Sequence, residues 1–151
     1  MTMKNRTARM AACLASLFIS AAVHAAGTSH MSVDNGWVRW LPNNLPAAGY
    51  MTIHNNGDKP VDLTDASSPD YGSVMLHETI TNGSTSTMEM VDKVTVPAHG
   101  IVNVTPGGYH FMLEEAKHKI APGDTIKLKL QFSDGTTLDT LLTVKSPANV
   151  K

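Results

Sequence analysis

Residues 125–144 read TIKLKLQFSDGTTLDTLLTV. Ile126, Leu128, Leu130 and Phe132 alternate with Thr125, Lys127, Lys129 and Gln131. A period of two puts the apolar four on one face of a strand and the polar four on the other. Asp134-Gly135 then supplies a turn, and Leu138–Val144 reads as the returning strand. The same period, broken by turn residues, runs back to Val33, and nowhere does a helical period persist. Strands are expected at Val33–Trp40, Ala48–His54, Val61–Ser67, Val74–Thr79, Thr87–Val96, Ile101–Thr105, Tyr109–Leu113, Thr125–Phe132 and Leu138–Val144. Asn56-Gly57, Asn82-Gly83, Pro106-Gly107-Gly108 and Pro122-Gly123-Asp124 punctuate them. Short strands at this spacing predict an all-β antiparallel sandwich or barrel. Glu114–Ile120 fits a helical turn or a loop equally well. No internal repeat or interdomain linker interrupts residues 33–145, and residues 146–151 read as a tail.

The beginning of the chain has a different character. Lys4, Arg6 and Arg9 precede an apolar run from Ala11 to Val23, and residues 1–25 contain no acidic side chain. The run is too short to span a bilayer and ends in Val23-His24-Ala25, the pattern of a secretory signal peptide. Cleavage is expected after Ala25, leaving residues 26–32 as a flexible N-terminus and no stable membrane insertion. Cys13, the only cysteine, stands too early for lipid attachment and leaves with the peptide. The mature chain then holds nine Lys and Arg against thirteen Asp and Glu. A mildly acidic domain argues against nucleic acid as a partner. Without a thiol it can have neither a disulfide, nor a Cys-x-x-Cys redox pair, nor a cysteine nucleophile.

Most other catalytic patterns are missing too. There is no Gly-rich phosphate loop, no Gly-x-Ser-x-Gly elbow and no His-Glu-x-x-His helix. Soft ligands are distributed less blandly. His110 and Met112 stand two apart on an expected strand, so imidazole and thioether share a face while Phe111 points away. Met88 with Met90, and Met75 with His77, repeat the arrangement on two further strands. A lone methionine on a strand is ordinarily a core residue, and Met51 is read so. His54, His99 and His118 lie beside turns or charges and are read as solvated. His30 and Met31, at the exposed N-terminus, are candidates for a weak second site. Thioether sulfur is ignored by hard cations and suits Zn²⁺ poorly, whereas Cu(I) accepts thioether and imidazole together. Three strands presenting such pairs could converge on one Cu(I).

The segments GWVRWLP, AAGYMTIHNNG, ASSPDYGSVMLHE, VPAHG and PGGYHFML resemble the periplasmic Cu(I) chaperones called PCu(A)C. That family carries a His, ten residues, a Met, twenty-one residues, then His-x-Met; His77, Met88, His110 and Met112 match every spacing. The resemblance runs from about Gly36 to Val144. It implies a cupredoxin-like antiparallel Greek-key sandwich or barrel, with His77, Met88, His110 and Met112 as ligands to one Cu(I). It also implies a monomeric, non-enzymatic carrier in the periplasm of a Gram-negative bacterium. Its acceptor would be the Cu(A) centre of cytochrome oxidase, through subunit II or a thiol-containing copper chaperone. Copper storage or resistance, and a metal-free β-sandwich binding module, are the alternatives. An electron-transfer cupredoxin would need a cysteine thiolate. Two departures stand out: Met90 occupies a position where many relatives have proline, and EEAKHK after Leu113 is more charged than usual.

Overall fold

The computed structural model describes residues 30–149; the expected signal peptide and its cleavage point lie outside them. The ten strands are β1 (Met31–Arg39), β2 (Ala47–Asn55), β3 (Val61–Ser67), β4 (Tyr71–Asn82), β5 (Thr85–Met90), β6 (Val94–Val96), β7 (Gly100–Val104), β8 (Tyr109–Ala116), β9 (Thr125–Phe132) and β10 (Thr137–Lys145). Pro147–Asn149 adds a single 3-10 turn. Among the described residues no helix is long and apolar enough to cross a membrane.

Hydrogen bonds link the strands in the order β5-β4-β8-β2-β1-β10-β9-β3-β6, with β7 also paired to β2. Only β1 and β10 run parallel. The sheet doubles over because one edge of β2 serves two partners. Ala47–Gly49 pair with β8, whereas Met51–Asn55 pair with β7. The enclosed core is apolar and well sealed: Phe111, Leu113, Leu128, Leu130 and Leu142 have no exposed surface. The alternation of β9 is realised without exception, each even-numbered residue from Ile126 to Phe132 being buried. The all-β, cupredoxin-like antiparallel sandwich is therefore the observed fold.

The differences from the expected strands have physical reasons. β1 starts at Met31, not Val33, because Met31 is only 4% exposed and packs in the core. Met31 is thus not part of an exposed, flexible N-terminus, and its thioether serves packing. The expected strand Thr87–Val96 is two strands. β5 is exposed throughout and pairs with β4, whereas Val94 and Val96 of β6 are buried against β3. The chain crosses between the two halves of the sandwich at Asp92-Lys93, and the Lys93 ammonium holds Asp62 at 2.7 Å. The ambiguous stretch Glu114–Ile120 is neither helix nor plain loop at its start. β8 continues through it to Ala116, with Glu115 at φ 57°. Opposite, Gly72 is required: a Cβ there would stand 2.9 Å from the Glu115 Cβ.

Asp70 ties three segments together. Its carboxylate accepts from the Lys127 amide at 2.9 Å and from His118 Nε2 at 2.9 Å, while its carbonyl accepts from the Lys117 amide at 3.0 Å. Desolvation pushes its pKa up, but the Lys127 and His118 hydrogen bonds outweigh that and hold it below 3.8. The stability it contributes is therefore present above pH 3.8 and lost as pH falls through the lowered value. Asp70→Ala is expected to cost about 1–3 kcal/mol at neutral pH. Urea melts should show the two proteins converging in strong acid; an equal gap at every pH would contradict the carboxylate's role.

Candidate metal centre

The β5-β4-β8 half of the sandwich carries the candidate ligands. His77 on β4 is directly opposite His110 on β8, and Met75 is opposite Met112. On the other side of β4, Thr79 is opposite Met88 and His77 is opposite Met90. Residues opposite one another in an antiparallel pair project to the same side. His77, Met88, His110 and Met112 therefore share one face of three adjacent strands, and Phe111 fills the core beneath. The imidazoles of His77 and His110 meet edge-on, with ring centroids 5.7 Å apart.

The depth of these groups is graded. His110 is 5% exposed, His77 and Met112 are half-buried, and Met88 is 59% exposed. His110 Nδ1 lies 3.4 Å from the carbonyl of Gly108. A carbonyl only accepts, so that nitrogen carries the proton and Nε2 keeps its lone pair free for a metal. Burial pushes the His110 pKa below 6.5; the Gly108 bond opposes it, and the nearby charges of His77 and Arg39 add smaller downward pushes. The Nδ1 atom of His77 is buried with no hydrogen-bond partner, a state that normally costs free energy unless something coordinates the atom. Met88, His110 and Met112 line a cleft of about 320 Å³ together with Arg39, Tyr50 and Pro106. The Arg39 guanidinium sits 5.8 Å from the centre of the Tyr50 ring.

The remaining candidates are placed elsewhere. Met51 is a core residue, as expected. His99 and His118 are exposed, but each is held by an aspartate, His99 by Asp58 at 2.8 Å and His118 by Asp70 at 2.9 Å. His54 is half-buried rather than solvated and pairs with Asp34 at 3.0 Å. None of these aspartate partners had a signal in the sequence, since they lie 20 to 48 residues away in the chain. Among the described residues no three His, Cys, Asp or Glu side chains gather to hold a metal.

Comparison with known proteins identifies the family and the fold. The family model described as "Putative lipoprotein LpqE-like" matches residues 31–144. "Putative lipoprotein Lxx21020" of Leifsonia xyli subsp. xyli is 31% identical over 134 residues, 88% of this chain and 80% of that one. Among solved structures, the CuI-DR1885 protein of Deinococcus radiodurans is 32% identical with a TM-score of 0.60, over 83% of each chain. The copper-bound PCuAC domain from PmoF2 has a TM-score of 0.65 at 24% identity, covering 78% of this chain and 94% of that domain, and shares the fold. Matched along nearly all of its folded length, the chain belongs to the LpqE-like family, and its architecture is that of a PCu(A)C domain.

Proposed function

We propose that this chain is an exported copper carrier that binds one Cu(I) through His77, Met88, His110 and Met112 and passes it to an acceptor protein. The observation that carries the reading is the strand register, which sets His77 opposite His110 and puts both methionines on the same face. The similar CuI-DR1885 protein, named for the metal it holds, supports the choice of Cu(I). Two imidazoles and two thioethers form a neutral set that suits a soft monovalent ion. No ligand charge traps the metal, so an incoming thiolate can displace the donors one at a time and copper is never free. The exposed thioether of Met88 is the natural first to leave, and the buried imidazole of His110 the last. An exposed edge favours delivery over storage. The acceptor is the Cu(A) centre of cytochrome oxidase, reached through subunit II or a thiol-bearing chaperone in the periplasm. The carrier acts as a monomer and catalyses no reaction.

Protons compete with copper for both imidazoles. Because burial disfavours the His110 imidazolium, that ring stays neutral as pH falls through 6.5 and yields only below it. A competition titration against a chromophoric Cu(I) chelator should therefore find one tight equivalent at about pH 8. The affinity should fall by up to about tenfold per pH unit for each imidazole that protonates as pH approaches 5. No tight equivalent, or a flat profile down to pH 5, would refute imidazole ligation.

A further inference from the structure

We infer that Met90 is an additional copper ligand, a second thioether on the edge strand that can take the place of Met88 beside His77. The inference rests on the copper reading above and extends it to a residue outside the four-ligand spacing.

The register orders these side chains in rows. Met90, His77 and His110 are directly opposite one another across β5, β4 and β8. The Val91 amide donates to the Leu76 carbonyl at 2.9 Å, so the ladder continues past Met90 and holds its register. Met88 is opposite Thr79 instead and reaches His77 only on the diagonal. Directly opposite Cβ atoms lie roughly 4.5–5.5 Å apart and diagonal neighbours about 7–8 Å. Met90 is thus the thioether nearest His77 in the sheet, and Met88 the one facing His110 and Met112 across the cleft.

Core packing does not explain either methionine. Met88 is 59% and Met90 67% exposed, on a strand with no buried residue. Both side chains are unbranched and free to turn through three bonds. Exchange of one neutral thioether for the other changes no charge and moves no proton or electron. One copper–sulfur bond forms as another breaks, and the ion shifts along the open edge of β5, where an acceptor has access. Met90 also borders a cleft of about 210 Å³ between β3 and β4, with Leu63 and Val74. Apolar contact there is the competing role, and leucine would preserve it while removing the sulfur.

The test compares Met88→Leu, Met90→Leu and the double variant with wild type by Cu(I) competition titration, together with X-ray absorption to count copper–sulfur bonds. Each single variant should lose less than about tenfold in affinity, because the other thioether substitutes. The double variant should lose more than the product of the two single losses, the signature of groups that replace each other. The sulfur count should stay at wild type in Met88→Leu and drop by one in the double variant. A double variant that loses no more than that product, or a Met88→Leu protein already short of one sulfur, overturns the role of Met90. Failure of the wild type to bind Cu(I) would instead defeat the copper reading itself, and Met90's role with it, before any variant is compared.

Discussion

His77→Ala is expected to weaken Cu(I) binding by at least on the order of a hundredfold, about 2.7 kcal/mol, with the fold intact. Changes one step removed from a bound metal cost about 10–100-fold, and loss of a direct donor should cost no less. His77 stands at the centre of the proposed site, opposite His110 on one side and Met90 on the other. Of the other described histidines, His54, His99 and His118 each sit beside an aspartate instead. Its removal should spare the fold. The ring is half-buried, and its Nδ1 has no hydrogen-bond partner to strand. Met112→Ala, by contrast, removes one thioether from a site that holds Met88 as well, and a smaller loss is expected. Competition titrations of the three proteins, paired with thermal melts, separate ligand loss from unfolding. Undiminished binding by a folded His77→Ala protein would mean that the metal sits elsewhere or that the spacing has another purpose.

Phe111→Ala should have the largest effect on stability, about 3–5 kcal/mol, or a fall in melting midpoint of roughly 10–20 °C. Phe111 is fully buried and has Leu76 on one neighbouring strand and Gly49 on the other as its direct partners. Packing around it is close: a Cβ added at Gly49 would already stand in van der Waals contact, 3.4 Å from the Phe111 Cβ. Truncation leaves a cavity that this tightly enclosed position cannot collapse to fill. Phe111 also separates His110 from Met112, so the same residue that anchors β8 in the core sets the direction of both candidate ligands. Cu(I), if it binds the folded state alone, should return part of the lost stability in proportion to its concentration. A cost below about 1 kcal/mol in chemical denaturation would contradict the packing argument.

Candidate ligands and core residues thus alternate along one strand. The outward side chains of β8, His110 and Met112, face the cleft, while Phe111 and Leu113 face the core. That division explains why substitutions at Met88 or Met90, on an exposed edge strand, should leave melting unchanged even where they alter metal binding.

Sequence alone determined whatever depends on one strand at a time. Alternation in TIKLKLQF identifies β9 and its buried face, since period two is a local property of an extended chain. The same rule places His110 beside Met112, Met88 beside Met90 and Met75 beside His77. What lies across strands was decided by the tertiary structure. Register follows from the packing of residues distant in the chain, and a slip of one position turns every side chain to the other face. So it took the folded sheet to set His77 opposite His110, to give Met90 rather than Met88 the position facing His77, and to split Thr87–Val96 between two edges. Met31 was drawn into the core, and His99 and His118 onto aspartates, for the same reason: burial and hydrogen bonding reward contacts that only the closed sandwich brings together.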